Sequence, residues 1–321
     1  MTHRMPRREF LGSMSAMAAA SAFPCGALVA GERLYPPMDL SPFDTPITPA
    51  PSEIHFGYAA ITWGGNDRQA VDDIAAVGFR GIQLRANSIA EFGGPAAVRD
   101  LLGQHELKFV ALSSGNLLSE PTAAKKSIAE HAAHAKFLHD AGGLYLQILD
   151  NRPKGRPATP VDFKQLAKAL TELGKRTADL GIPLGYHNHM GSLGERPEEL
   201  DQIMSLSDPR YVKLELDIAH YFQGGGDPVK AIETFSDRLL FLHIKDVERL
   251  PEGKDPQHSY RWVELGHGLV DVPAVFEALR KVNFRGWAIV ELDGVPDNAH
   301  SPKEAAAANK QYLQEKLGLT V

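Results

Sequence analysis

From Glu53 to the C terminus, short β-rich segments alternate with helical segments eight times. Most of the β-rich segments are continuously apolar, which is typical of strands covered on both faces of a sheet. This alternation predicts a closed (β/α)8 TIM barrel, a fold that forms one domain of about 250 residues. The predicted strands are 54–61, 81–84, 108–112, 144–149, 183–187, 212–216, 239–244 and 287–292, and the predicted helices lie near 67–77, 95–104, 122–141, 161–180, 196–205, 227–236, 271–282 and 302–317.

An open, doubly wound sheet is the alternative fold for such an alternation. However, no Gly-x-Gly-x-x-Gly follows the first predicted strand. The triplet Gly224-Gly225-Gly226 follows the sixth strand and lacks the lysine of a phosphate-binding loop. We therefore interpret the triplet as a turn, and the barrel is the favoured fold.

The first 30 residues resemble a twin-arginine export signal, with Arg7-Arg8, Phe10-Leu11 and an uncharged run through Ala30. A transmembrane anchor is the alternative, but repeated alanine, serine and glycine make the run only mildly hydrophobic. Cys25 is disfavoured as a lipid attachment site, because Ala22-Phe23-Pro24 is a poor lipobox. We expect an exported, periplasmic protein without stable membrane insertion after cleavage, and the cleavage site stays open.

Six prolines between residues 35 and 51 predict an extended linker over 31–52, which leaves 53–321 for the barrel. The 34 basic and 40 acidic side chains give a net charge of −6, which excludes a general attraction to nucleic acid or anionic lipid. The single cysteine excludes an intrachain disulfide framework. A small molecule is therefore the expected partner, and the oligomeric state, a homodimer included, stays open.

Polar residues collect where the last four predicted strands end, and barrel chemistry is found at such strand ends. Because side chains alternate along a strand, His187 and His189 point to one side of strand five, and Glu215 and Asp217 point to one side of strand six. A buried charge without a partner costs several kcal/mol, and a divalent cation is an economical partner. Imidazole and carboxylate ligands suit Mn²⁺, Zn²⁺, Co²⁺ or Fe²⁺. The four strand ends read Tyr186-His187-Asn188-His189, Glu215-Leu216-Asp217-Ile218-Ala219-His220, His243-Ile244-Lys245-Asp246 and Glu291-Leu292-Asp293.

The other histidines near predicted helices are interpreted as solvated residues of the outer face, and they are His105, His131, His134 and His139.

These strand ends resemble the sugar phosphate isomerase/epimerase superfamily, the xylose isomerase-like barrels, over nearly the whole stretch 54–318. The motifs that carry the resemblance are Gly185-Tyr-His-Asn-His-Met-Gly191, Leu214-Glu-Leu-Asp-Ile-Ala-His220, Leu242-His-Ile-Lys-Asp246, Leu265-Gly-His-Gly268 and Gly286-Trp-Ala-Ile-Val-Glu-Leu-Asp293. The first of these and the acidic eighth strand look most like the inosose dehydratase-like members.

The resemblance implies a cation held by Glu, Asp, His and Glu from strands five to eight. Asp217, His243 and Glu291 match that set, but His187 stands at the strand-five glutamate position. His189 is the competing ligand if the strand end is shifted by two residues.

The resemblance also implies substrate contacts. His220 matches a histidine that contacts the substrate, and Lys245 is expected to polarise a substrate oxygen. Gln83 occupies a strand-two position that is often glutamate, and Trp63 and His267 complete the expected contacts.

The implied activity is a metal-dependent proton abstraction α to the carbonyl of a sugar or keto-polyol, with an enediolate intermediate. Glu291 is the expected ligand and base, with His187, His189 or His220 as its acid/base partner. Because one of the two family glutamates is replaced, a two-glutamate epimerisation does not carry over directly. Isomerisation by one base is the first interpretation, and dehydration or 3-keto-glycoside cleavage is the alternative.

Export argues for a substrate without a phosphate group. A periplasmic sugar-binding protein with a vestigial metal site is a less favoured reading. An endonuclease IV-like phosphodiesterase is also less favoured, because the acidic balance and the missing strand-two glutamate argue against it.

The signal prediction is tested by replacing Arg7 and Arg8 with lysine. We expect the double variant to accumulate as the uncleaved precursor in the cytoplasm, because the twin-arginine pair is read as an address. Cell fractionation with immunoblotting measures this, and Arg4→Lys is the matched control outside the pair. Equal export of both variants would show that the pair is not the signal.

Overall fold

The structure is a computed structural model, and it describes residues 53–250 and 260–321. The strands within these residues are β1 (Ile54–Ala59), β2 (Gly81–Arg85), β3 (Lys108–Asn116), β4 (Tyr145–Leu149), β5 (Leu184–His187), β6 (Val212–Asp217), β7 (Leu239–Ile244), β8 (Asp246–Arg249), β9 (Tyr260–Val263) and β10 (Gly286–Val290). Three segments lie outside the described residues: the predicted signal over 1–30, the predicted linker over 31–52, and residues 251–259 after β8.

The α-helices within the described residues lie on the connections between strands. They are α1 (Asp67–Val77), α2 (Ser88–Glu91), α3 (Pro95–Gln104), α4 (Ala124–Asp140), α5 (Pro160–Ala178), α6 (Pro197–Leu206), α7 (Ile218–Gln223), α8 (Pro228–Thr234), α9 (Val272–Lys281) and α10 (Pro302–Glu315). Proline at the first position begins α3, α5, α6, α8 and α10, where its missing N–H costs nothing. None of the described helices is both long and apolar enough to cross a bilayer.

Eight parallel strands close into a barrel in the order β1-β10-β7-β6-β5-β4-β3-β2. The predicted TIM barrel is therefore confirmed, and the eighth predicted strand is β10. The first strand ends at Ala59, earlier than predicted, because Ala60–Trp63 forms a 3-10 turn that ends at Gly64 with φ 63°. The sequence pattern also missed the two short helices α2 and α7 and the antiparallel hairpin of β8 and β9.

A small apolar cluster fills the lower part of the barrel interior and separates it from the polar strand ends. Its members include Phe241 and Ile289. Each lies two residues before a polar residue, His243 or Glu291, on the same side of its strand. The chemistry therefore has an apolar floor beneath it, and the larger core packs between the strands and the surrounding helices.

Two histidines of α4 are not solvated as the sequence suggested. Nδ1 of His131 and Nδ1 of His134 lie 2.7 and 2.8 Å from the hydroxyl oxygen of Ser114, at the end of β3. Nε2 of His131 lies 3.2 Å from the carbonyl oxygen of Asn116, so the Ser114 hydroxyl donates to His131 and accepts from His134. Helical periodicity placed these residues on the outer face but could not show that β3 extends far enough to meet them.

This pair predicts a loss of stability in acid. Burial lowers the pKa of His131 and of His134, although hydrogen bonds and Glu130 oppose the shift. The unfolded chain takes up protons near the ordinary pKa of about 6.5 while the folded chain resists, so the stability of the neutral pair is lost as the pH falls below that value. We expect the double variant His131→Gln/His134→Gln to lose less melting temperature than wild type between about pH 7.5 and about pH 5.5.

Thermal melts followed by circular dichroism measure the difference. The exposed His267, changed to Gln, is the control that should leave the wild-type pH profile intact. An identical acid loss in the double variant and the wild type would contradict the prediction.

Candidate active site

A layer of buried polar side chains lies directly above the apolar floor. The amide of Gln83 donates to Oε1 of Gln147 at 3.0 Å, and Oε1 of Gln83 lies 3.0 Å from Nε2 of His243. Oε1 of Glu215 lies 2.6 Å from the same nitrogen, although outside hydrogen-bond geometry. Because Nε2 of His243 faces two acceptors, it carries the proton, and Nδ1 is left to face the barrel mouth.

The buried carboxyl of Glu215 and the imidazole of His243 shift each other's pKa. Burial raises the pKa of Glu215 to about 7, although His243 partly opposes this. Burial would lower the pKa of His243, but the carboxylates of Glu215 and Glu291 outweigh burial and raise it well above its ordinary value. The position above His243 is therefore strongly attractive to positive charge.

His187, Asp217 and His243 converge at that position, and each has a buried atom that no described residue hydrogen-bonds: Nδ1 of His187, Oδ2 of Asp217 and Nδ1 of His243. One ligand atom from each residue lies within 4.8 Å of the other two. The other oxygen of Asp217 accepts from the backbone N–H groups of Ala219 and His220 at 2.8 Å, which fixes the carboxylate at the start of α7.

This donor set fits a divalent cation. Two imidazole nitrogens and one carboxylate oxygen suit the borderline metals named above. The proton of His243 Nε2 faces Gln83 and Glu215, which is the outer-shell arrangement typical of a metal-bound histidine. His187, Asp217 and His243 would hold the cation. Glu291 would lie beside it, because its Oε1 is 3.4 Å from Nδ1 of His243.

Lys245 is fully buried beside this position, and its ammonium group binds two carboxylates that follow β10. Its Nζ lies 3.0 Å from Oε1 of Glu291, 2.8 Å from Oδ1 of Asp293 and 3.8 Å from the ring centroid of Trp262. Burial would lower the pKa of Lys245, but Asp293, Glu291 and Asp217 outweigh burial and raise it. Burial would likewise raise the pKa of Glu291, but His243 and Lys245 lower it. The lysine is charged, and it fixes an ionised Glu291.

Histidines at the end of β5 and on α7 lie on another side of the site. The rings of His189 and His220 lie 3.8 Å apart, and the ring of His220 lies 4.8 Å from that of Trp262. Burial lowers the pKa of His187 and of His220 well below the ordinary value, and neighbouring positive groups add to the shift. These imidazoles are neutral. His187, His189 and His220 also form an alternative group of converging ligand atoms.

Asp246 holds the hairpin that carries Trp262. Its carboxylate accepts from the backbone N–H groups of Val247 at 2.8 Å, Gly266 at 3.0 Å, Gly268 at 2.9 Å and Val270 at 3.0 Å. Four acceptor contacts from one buried carboxylate fix the chain that returns from the hairpin. The indole of Trp262 is thereby held over Lys245.

The polar groups open into a cavity of about 170 Å³ at the carboxyl ends of the strands. A larger cavity of about 810 Å³ lies on the outer face between α4, α5 and α6, but the converging groups of the barrel mouth do not line it. Position and chemistry therefore favour the smaller cavity as the candidate active site. Its lining includes Ala59, Ile61, Gln83, Arg85, Ser113, Gln147, Leu149, His187, His189, Glu291 and Asp293.

Two of the predicted substrate contacts lie elsewhere, which corrects the sequence analysis. The indole N–H of Trp63 donates to Asp73 of α1 at 2.9 Å, and its ring packs against Tyr58. His267 is exposed and lines a surface cavity with Tyr312 of α10. Both residues follow a strand by several positions, and the turn taken there removes them from the mouth. The other predicted site residues come together: Gln83, His187, His189, Asp217, His220, His243, Lys245 and Glu291.

Four further residues belong to this site but were not among the predicted site residues. Glu215 and Asp293 stand in the strand-end motifs, where alternation places them on the same side as Asp217 and Glu291, but neither was assigned a role. Arg85 ends β2 two residues after Gln83, so the same rule applies to it. Trp262 had no such signal, because the hairpin that carries it does not belong to the barrel repeat.

The fold and the site together define an α/β barrel that presents imidazoles, carboxylates and a buried lysine at the carboxyl ends of its strands. Residues 71–316 match the family model described as the xylose isomerase-like TIM barrel, and the chain belongs to this family.

An inosose dehydratase of Lacticaseibacillus casei is 26% identical over 303 residues, which cover 83% of this chain and 98% of the relative. The crystal structure of the IOLI protein with a bound zinc atom matches with a TM-score of 0.70 and 18% identity, covering 81% of this chain and 97% of that one. The probable 3-DHS dehydratase AsbF of Bacillus anthracis matches with a TM-score of 0.67 and 15% identity, covering 81% and 98%.

The cation site predicts a specific loss of metal binding in Asp217→Asn. The amide keeps the oxygen that caps α7 but removes the charge facing His187 and His243. We expect Mn²⁺ or Zn²⁺ affinity to fall by more than the roughly 10–100-fold that loss of an outer-shell partner costs. Isothermal titration of metal-stripped protein measures the affinity.

Asp227→Asn is the matched control, because Asp227 caps α8 through the same contacts but is not a member of the site. Unchanged metal affinity in Asp217→Asn would remove Asp217 from the ligand set.

Proposed function

We propose that this protein is a divalent-cation-dependent enzyme that removes the proton α to the carbonyl of a keto-polyol and eliminates the β-hydroxyl as water. The observation that carries the proposal is the unequal pair of groups at the mouth of the barrel. The carboxylates of Glu291 and Asp293, both held by Lys245, lie on one side, and the closely spaced imidazole rings of His189 and His220 lie on the other. The dehydratase names of the similar proteins agree with this chemistry.

The residues divide the work between base, positioning group and acid. Glu291 is the base that takes the α-proton, and Lys245 holds its carboxylate in place. A bound divalent cation would act as a Lewis acid on the carbonyl of the substrate. The electron pair of the broken C–H bond forms the new C=C bond. Glu291, now protonated, then acts as the acid: its proton leaves with the β-hydroxyl as water, and the imidazoles of His189 and His220 hydrogen-bond the departing oxygen.

Elimination suits these groups better than epimerisation. An epimerase takes a proton from one face of a carbon and returns it from the other, which favours two bases of similar strength. Here the carboxylate of Glu291, which follows β10 and is bound by Lys245, shares a cavity with the imidazoles of His187 and His189 at the end of β5. β5 lies three places from β10 in the barrel order. A carboxylate can take the carbon-bound proton while an imidazole N–H donates a hydrogen bond to the departing oxygen.

Isomerisation is the second candidate. It needs only one base to move a proton between neighbouring carbons, and Glu291 beside His243 would serve that purpose. The proposed substrate in either case is a free sugar or keto-polyol. This agrees with the twin-arginine signal and a periplasmic location, which we also propose.

The experiment is product analysis with the Mn²⁺-loaded protein and an inosose in D₂O, followed by NMR and ultraviolet absorbance. We expect an unsaturated ketone and the loss of one water. We expect Glu291→Gln to lower the rate by about 10²–10⁴-fold, the usual contribution of a positioned base. Glu277→Gln, an exposed change on α9, is the control and should keep the wild-type rate.

The outcomes separate the candidates. A rearranged sugar that carries deuterium, without an unsaturated product, would replace elimination by isomerisation or epimerisation. No product and no exchange with a panel of keto-polyols would contradict both.

A further inference from the structure

Arg85 is a charged group in the cavity that the proposed chemistry does not use. It ends β2 and lines the cavity together with Ser113, Gln147 and Glu291. Its Nε is buried and has no hydrogen-bond partner among the residues that the structure describes. Within 53–250 and 260–321, its guanidinium forms no ion pair within 4.0 Å, although five other arginines of these ranges bind a carboxylate of a neighbouring element or turn. Arg85 as a whole is half-buried, and a buried guanidinium N–H without a hydrogen-bond partner is costly.

The position of Arg85 relative to the cation pocket follows from the barrel order. β2 lies four places from β6, so Arg85 stands across the barrel from Asp217. Gln83, two residues earlier on the same side of β2, reaches His243 with a contact of 3.0 Å. Arg85 is therefore one layer nearer the mouth. A substrate whose carbonyl lies at the cation pocket would present its far end to Arg85.

The charge balance of the cavity points to what that far end carries. Glu291 and Asp293 also line the cavity, but Lys245 contacts both at 3.0 and 2.8 Å. Asp67 is a buried acid close enough for Arg85 to lower its pKa, but the two form no ion pair within 4.0 Å, and Asn87 binds Oδ2 of Asp67 at 3.0 Å. Arg85 is thus a positive charge of the described cavity lining that no described carboxylate contacts within 4.0 Å. Its planar fork matches a carboxylate through two parallel hydrogen bonds.

We propose that Arg85 binds a carboxylate of the substrate, so that the enzyme prefers a keto-acid of the sugar series to a neutral keto-polyol. This inference rests on the proposed function for the reaction that follows binding. The binding of a carboxylate by Arg85 does not depend on that reaction. A phosphate is the less suitable anion, because the described lining offers one guanidinium, no second arginine and no lysine. Arg85 is a specificity residue in this account, and Glu291 remains the base.

The test compares two probes of the same carbon chain, D-gluconate and its neutral alditol D-glucitol, by isothermal titration against the Mn²⁺-loaded protein. We expect gluconate to bind at least about tenfold tighter than glucitol, which is about 1.4 kcal/mol. Arg85→Met should abolish this preference while glucitol binding stays within about twofold of wild type. Arg85→Lys should retain only part of it, because a point charge cannot form the fork.

Control variants distinguish binding by Arg85 from other causes of a preference for gluconate. Arg99→Met changes an exposed arginine of α3 and should leave the preference intact. A preference for gluconate that persists in Arg85→Met would mean that the cation alone chelates the carboxylate, and it would overturn the proposal. Equal binding of the two probes by wild type would also overturn it, as would tighter binding of 6-phosphogluconate than of gluconate that depends on Arg85.

A lower melting temperature in Arg85→Met with unchanged probe selectivity would assign Arg85 a structural role and overturn the proposal. The proposed reaction is judged separately. Turnover of a neutral inosose with no preference for acids would overturn only the carboxylate subsite, whereas no turnover with any keto-polyol or keto-acid would overturn the reaction.

Discussion

The site depends on one buried imidazole, that of His243, which is held between carboxylates on both of its nitrogens. Nε2 lies against Glu215 and Gln83, and Nδ1 faces Asp217 and Glu291. Carboxylates in a barrel interior repel one another and lose their hydration, so they persist only where positive charge compensates them. Lys245 supplies part of that charge, and a divalent cation held by His187, Asp217 and His243 would supply the rest. The geometry of every other group follows from where these charges must stand.

The barrel makes this arrangement possible by separating apolar from polar residues along each strand. Phe241 and Ile289 fill the interior below, and the residues two positions later on the same strands carry the chemistry. Two elements outside the repeat then close the mouth. α7, which Asp217 caps, carries His220, and the hairpin, which Asp246 fixes, carries Trp262.

Much of this could be predicted from the sequence, because strand alternation and barrel closure are local and repetitive rules. The approximate helix positions and the collection of polar side chains at the ends of the last four barrel strands follow from them, whereas the set His187, Asp217, His243 and Glu291 was implied by the family resemblance. These rules do not predict the segments that lie outside the repeated β/α units of the barrel. Trp63 lies in a 3-10 turn rather than on β1, and His131 meets Ser114 because β3 continues beyond its apolar run. Long-range packing decides these positions, and periodicity carries no signal for it.

The most direct test of the account is anomalous X-ray diffraction from crystals of the protein grown with Mn²⁺ and measured at the manganese edge. The account predicts one anomalous peak bound by His187, Asp217 and His243, with Glu291 beside it. A peak bound instead by His187, His189 and His220, or crystals with full Mn²⁺ supply and no peak at the barrel mouth, would contradict it.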